Sequence, residues 1–343
     1  MFTTTQQAAQ EQIEAESGSM QAVVQDAYGS ADVLHLATVP RPAPGKDDVL
    51  VRVHAAGLHI GDWHLMTGQP YLMRIMGFGL RAPKARVRGT DVAGTVVAVG
   101  AQVTGVQIGD EVFGSCDGSY AAYATARLST LADKPANLSF EQAAAVPTSA
   151  VTALTAVRDA GRVAAGQRVL VIGASGGVGL FAVQIAKAFG AEVTGVCSTS
   201  KVELVRSAGA DQVLDYTQVG LGSNDHPYDV ILDMGGNRSL SQLRRHLAPR
   251  GTLVLVGGEG GGRWIGGAMG RSLRALVLSP FVSQQLRMVV STVKRPDLQA
   301  VSELIQAGKV TPLIDRTYPL QDVPDAIRRL HNGEAQGKLV IVP

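Results

Sequence analysis

Cysteine is nearly absent: Cys116 and Cys197 are the only two in 343 residues. Two thiols exclude a disulfide framework and a four-thiolate zinc lobe, and they fit a reducing, cytoplasmic setting. Aromatic residues are scarce, at 5%. No apolar run reaches the roughly 18 residues that suggest a membrane-spanning helix. Neither sign of charge dominates, since 31 basic and 29 acidic residues leave a net charge of +2. That balance gives no general reason to expect nucleic acid or a membrane as a partner. The opening residues 1–19, MFTTTQQAAQEQIEAESGS, lack the basic and apolar regions of a secretory signal and read as a polar extension ahead of Met20.

Apolar residues (45%) and forty glycines are what the chain does have, and its length allows two domains, each with its own core. From Met20 to about Ala145, β-branched runs such as DVLVRVHAAG and VAGTVVAVG are bounded by turn residues, which predicts a β-rich domain. From Val146, strands and helices alternate: RVLVIGASGGVGLFAVQIAKAFG, AEVTGVCSTS, KVELVRSAGA, DQVLDY, YDVILDMGG, GTLVLVGGEG. This alternation predicts an α/β doubly wound parallel sheet over 146–285. The last stretch, 286–343, ends in GKLVIVP, a strand expected to return to the domain of residues 20–145.

The turn Gly173-Ala174-Ser175-Gly176-Gly177-Val178-Gly179 lies directly between an apolar strand and an amphipathic helix. In that context glycines spaced three apart fit a dinucleotide: the backbone approaches the pyrophosphate, and the helix N-terminus offers free N–H groups. An NAD site places Asp or Glu at the end of the second strand to bind the ribose 2′-hydroxyl. Here that end reads Ser198-Thr199-Ser200-Lys201 after Cys197, three hydroxyls and an ammonium suited to the 2′-phosphate of NADPH.

The order of these segments, with AAAVPTSAVTALTA before the glycine turn and SAGADQVLDY after it, resembles the medium-chain dehydrogenase/reductase superfamily. Within it the resemblance is to the zinc-independent quinone oxidoreductase branch, over Met20 to Pro343. It implies a GroES-like β-rich catalytic domain from both chain ends, a Rossmann domain, a cleft between them, and a homodimer or tetramer. By position, Ser198, Lys201 and Tyr216 match the 2′-phosphate and adenine side. Thr148 and Thr152 match the segment that touches the nicotinamide, Val256 and Gly257 the strand end lining it, and Lys338 a basic position near the pyrophosphate.

The stretch GLHIGDWHLM places His59, Asp62 and His64 within six residues and invites a metal reading. Zinc-bearing relatives take a Cys where this chain has His59 and a His where it has Thr90. Threonine is a poor zinc ligand, so no metal is expected. His59 and Asp62 then line the cleft, and His59 and Tyr71 are the candidate proton donors, with water as the alternative. The segment Tyr71, Leu72, Met73, Ile75, Met76 and Phe78 reads as an apolar lid, flanked by Arg74, Arg81, Lys84, Arg86 and Arg88. The expected substrate is a small quinone or α,β-unsaturated carbonyl compound, with no nucleic-acid and no membrane partner. Reduction of simple ketones, or NADPH binding without turnover, are the alternative readings.

Overall fold

The computed structural model describes residues 18–220, 226–257, 264 and 266–343. The extension expected over 1–19 thus lies almost wholly outside the described residues, and strand β1 opens at Ser19.

A hairpin of β1 (Ser19–Gln25) and β2 (Leu34–Pro40) leads into a seven-stranded sheet. That sheet contains β3 (Asp48–Leu58), β4 (Asp91–Val99), β5 (Glu111–Ser115), β6 (Tyr123–Arg127) and β7 (Leu131–Asp133), with α1 (Ile60–Thr67) after β3. Val49, Val51 and Val53 of β3 alternate inward, which is the period-two burial that β-branched runs predict. Two alanine-rich helices, α2 (Phe140–Ala144) and α3 (Pro147–Leu154), follow. Their buried alanines share one core with Ala55 and Ala93 of the first sheet and with Leu180 of the next domain. Small side chains at this junction let the two bodies approach closely.

The second body alternates as expected: β8 (Arg168–Ile172), α4 (Gly177–Ala188), β9 (Glu192–Cys197), α5 (Val202–Ser207), β10 (Gln212–Asp215), β11 (Tyr228–Asp233), α6 (Leu240–Arg245), β12 (Leu247–Leu255), α7 (Gly267–Leu278) and β13 (Gln285–Met288). Its strands run parallel in the order β10-β9-β8-β11-β12-β13. The chain reverses its build direction between β8 and β11, and the crevice at the carboxyl ends there is where such sheets bind ligands. The domain boundary expected between 285 and 286 cuts β13, so the parallel sheet extends to Met288.

The chain then forms α8 (Arg295–Gln306), β14 (Ile314–Pro319), α9 (Val323–His331) and β15 (Lys338–Val342). β15 pairs antiparallel with β3, returning the C-terminus to the first sheet as expected. The result is a GroES-like β-rich body joined to a Rossmann-type α/β body.

Candidate active site between the two bodies

At the end of β8 the backbone turns through Gly173, with φ of +77°, a conformation that favours glycine. Gly176 caps α4 without a side-chain bond, which leaves the first N–H groups of a twelve-residue helix free of intrahelical acceptors. A Cβ on Gly179 would sit 2.1 Å from the Gly173 carbonyl oxygen, so helix and strand meet through this glycine. Ala174 is buried, whereas Ser175, Gly177 and Val178 are partly exposed on the turn.

Lys338 arrives at this turn from the other body. Its buried Nζ donates to the Leu58 carbonyl (2.8 Å) and to Ser149 Oγ (2.9 Å). Its stem lies where a Cβ on Gly177 would be 3.1 Å from Cδ. Burial lowers its pKa, opposed by the charges of Asp91 and Asp62. One ammonium and one helix N-terminus thus converge, a donor set that fits a pyrophosphate.

Beside them, His59 begins α1 with its backbone N–H donated to Asp62 Oδ2 (3.0 Å). Its Nε2 lies 2.8 Å from Thr90 Oγ1, and its buried Nδ1 has no hydrogen-bond partner, with Asp62 Oδ2 3.7 Å away. Asp62 is buried near Tyr120, whose phenol is pushed well above its usual range by burial and by the Asp62 charge. The next carboxylate, Asp91, is fully buried and accepts from Thr148 N (3.1 Å) and Thr148 Oγ1 (2.5 Å). Burial raises its pKa, while His59, Lys338 and the Thr148 bond pull it down. Thr148, expected at the nicotinamide, therefore spends both of its donors on Asp91. Thr152 lies one turn further along α3. Val256 and Gly257 extend β12 at the carboxyl end, their amides bonded to the Asp233 carbonyl at 3.1 and 3.3 Å.

Tyr71 sits at the rim and packs on groups other than His59. Its ring meets Trp264 edge-on at 5.6 Å, and the Arg74 guanidinium lies over it at 4.7 Å. The Leu72 amide also donates to the Trp264 carbonyl (3.1 Å), so this segment bridges the two bodies. Within the lid expected over 71–78, Tyr71, Leu72 and Met73 are half-buried, whereas Ile75 and Met76 are 66% and 64% exposed.

At the adenosine end, Ser198 precedes a short helical turn, and Thr199 Oγ1 donates to Asp215 Oδ2 (2.5 Å). Asp215 comes from the end of β10 and also accepts from Thr217 N and Thr217 Oγ1. Tyr216 is exposed, with its amide donated to the Cys197 carbonyl. Lys201 Nζ donates to the carbonyls of Gly333 and Ala335, both at 2.8 Å, which leaves one of its three donors. This lysine ties the Rossmann body to the loop before β15.

Two family models match the chain: the alcohol dehydrogenase GroES-like domain over residues 45–156, and the zinc-binding dehydrogenase over 208–341. The chain is 33% identical to the mitochondrial NAD(P)H oxidoreductase RTN4IP1 of Mus musculus, over 95% of this chain and 90% of that protein. It is 33% identical to the chloroplastic NADPH-dependent alkenal/one oxidoreductase of Arabidopsis thaliana, over 94% and 80%. Its fold matches the quinone oxidoreductase of Coxiella burnetii with a TM-score of 0.84 at 28% identity, covering 95% and 99% of the two chains. The chain is a medium-chain dehydrogenase/reductase. Within that superfamily it belongs to the quinone oxidoreductase branch and is an oxidoreductase using a nicotinamide cofactor.

For a medium-chain dehydrogenase/reductase the zinc question is then one of donor chemistry. His59 Nε2 faces a threonine hydroxyl, and both Asp91 oxygens are taken by Thr148. Among the described residues no group of three His, Cys, Asp or Glu could hold an ion. The residues present do not fit a zinc site. Sequence reasoning gives Thr90 only as a missing ligand, and the structure makes it the partner of His59. It also misses Asp215, Ser149 and the Asp91–Thr148 bond, each a contact between segments far apart in sequence and without a shared period.

Proposed function

We propose that this protein is an NADPH-dependent, metal-free reductase of quinones and α,β-unsaturated carbonyl compounds, acting in the cytoplasm as a homodimer. The observation that carries this reading is the His59–Thr90 hydrogen bond, which stands where the metal-bearing relatives hold their ion, beside a pyrophosphate cradle. The names of the relatives, an alkenal/one oxidoreductase and a quinone oxidoreductase among them, support the substrate class.

The cradle at Gly173–Gly179 and Lys338 hold the cofactor's phosphates, and Ser198 with the remaining Lys201 donor faces its 2′-phosphate, while Thr199 is held by Asp215. When bound, the nicotinamide supplies a hydride to a conjugated carbon of the acceptor. Charge then spreads onto the distal carbonyl oxygen, where one well-placed donor stabilises it. With the ring proton on Nε2, His59 donates to Thr90 and leaves the threonine hydroxyl hydrogen free for that oxygen. Asp62 holds the start of α1, and so the His59 ring, in place. A conjugated acceptor spreads its developing charge and needs less than an alkoxide does, which suits a site without a Lewis acid. The homodimer reading draws on β13, the edge of the parallel sheet, flanked by exposed Phe281, Leu276 and Val277.

An acceptor panel tests this. NADPH oxidation is expected with quinones and cyclic enones, far slower with saturated ketones, and undiminished by chelator. Collapse on chelation with recovery by zinc sinks the metal-free reading, and faster turnover of saturated ketones favours the alcohol-dehydrogenase alternative. His59→Ala is expected to lower kcat about 100-fold, the scale of one donating group lost, because the Thr90 hydroxyl loses the partner that orients it, with metal content unchanged. Lys201→Ala is expected to raise the KM for NADPH about 10-fold and leave that for NADH nearly unchanged, since one charge-assisted bond is lost. An equal rise for both cofactors shows instead that Lys201 only ties the two bodies together.

A further inference from the structure

From Trp63 to Thr90 the chain contains no Asp or Glu, while Arg74, Arg81, Lys84, Arg86 and Arg88 fall in that interval. The near-neutral whole-chain charge hides this local asymmetry. Three of the five cations are spent internally. Arg74 donates to the carbonyls of Thr67 and Gly68 and lies over Tyr28, Arg86 pairs with Asp26, and Arg88 is buried. Arg81 and Lys84 remain exposed, with no ion pair among the described residues.

The same segment carries apolar side chains into solvent: Ile75 and Met76 as above, Phe78 at 46% and Leu80 at 70%. Across the cleft mouth stands Trp264, itself 70% exposed. These are not the tips of a loose loop. Tyr28 Oη donates to the carbonyls of Phe78 (3.0 Å) and Gly79 (2.8 Å), and the Lys84 amide donates to Phe78 O (3.0 Å). The backbone is pinned, yet the side chains are exposed, and the Lys84 backbone lies beside that of Phe78. Exposed apolar tips interleaved with basic residues, rimmed by an aromatic, match the headgroup and acyl boundary of an anionic bilayer.

We propose that the rim formed by residues 75–84 and Trp264 docks the protein on anionic lipid bilayers, so that the cleft mouth opens onto substrate dissolved in the membrane. The docking half stands on the surface alone, and the substrate half rests on the quinone reading above. The contact is peripheral, consistent with no described helix being long and apolar enough to cross a membrane. It revises the expectation of no membrane partner, which comes from charge averaged over the whole chain.

The test is sedimentation of the full chain with vesicles of phosphatidylcholine and phosphatidylserine, against vesicles of phosphatidylcholine alone. The wild type is expected to pellet with the anionic vesicles and to be released by salt. Arg81→Glu with Lys84→Glu is expected to weaken that binding by at least about fivefold, the scale of one basic residue at such a surface. Ile75→Ser, Met76→Ser and Phe78→Ser together are expected to abolish it. A wild type that stays in the supernatant, or a triple variant that pellets equally, overturns the proposal. So does self-association of the wild type that the triple variant loses without any vesicle binding, because a second copy then covers the patch. For the substrate half, the Arg81→Glu, Lys84→Glu variant is expected to reduce a vesicle-dissolved quinone about fivefold more slowly, and a water-soluble quinone at the wild-type rate. Equal wild-type and variant rates on the vesicle-dissolved quinone overturn that half. If the wild type reduces no soluble quinone, the quinone reading fails, while vesicle binding still reports on docking.

Discussion

Gly179→Ala is expected to abolish NADPH binding and to cost about 3 kcal/mol of stability. The added Cβ would lie 2.1 Å from the Gly173 carbonyl oxygen and 2.8 Å from Ala174 Cα. Both are backbone atoms, so no side chain can swing away to make room. The helix must lift off β8, and its N-terminal N–H groups leave the place where they face a phosphate. Denaturant melts and titration of NADPH fluorescence check the two effects separately. A variant that binds NADPH normally refutes the account of this turn.

Lys338→Met is expected to weaken NADPH about 10- to 100-fold, the loss of one charge-assisted hydrogen bond in a site shielded from water. Methionine matches the stem in volume, so the loss is of the ammonium and not of packing. The carbonyl of Leu58 and the hydroxyl of Ser149 lose their shared donor, which costs about 1–3 kcal/mol for each group left buried and unpaired. Relief from burying a cation offsets part of that cost.

A pH dependence accompanies this variant. The Lys338 charge holds down the pKa of Asp91, which burial raises. Without the lysine, Asp91 rises further. A carboxyl whose folded pKa lies above its unfolded value binds its proton more tightly when folded, so stability increases as pH falls through the folded value. The stability gap between wild type and variant should therefore be widest at neutral pH and narrow in mild acid. Urea melts at the two conditions measure it, and a gap that widens in acid contradicts the coupling.

Several parts of the site are legible in the residue order alone. The glycine turn between strand and helix is a local pattern, because turn, close packing and free N–H groups all arise within seven consecutive residues. The alternation after Val146 is legible for the same reason, since strand and helix leave different periods of apolar residues. Lys338 is reached only through resemblance, for nothing in GKLVIVP says that its lysine is buried against Ser149.

Other features depend on which distant segments meet. Lys201 reads as a free ammonium for a phosphate, and the fold gives two of its donors to carbonyls more than 130 positions away. The strand end after Cys197 carries no carboxylate, yet the neighbouring parallel strand brings Asp215 to Thr199. The apolar stretch after Tyr71 reads as a lid by composition, but composition does not say which side chains are covered, and Ile75 and Met76 are exposed.

The sequence by itself determined the two-body plan and the glycine turn between strand and helix, because each follows from residue types at short range; Thr90 in the place of a metal ligand was legible only through resemblance. Only the tertiary structure decided which polar groups are paired: His59 with Thr90, Asp91 with Thr148, Lys338 with Ser149. Burial makes every such partner obligatory, and long loop closures choose which partner it is. No periodicity along the chain encodes that choice.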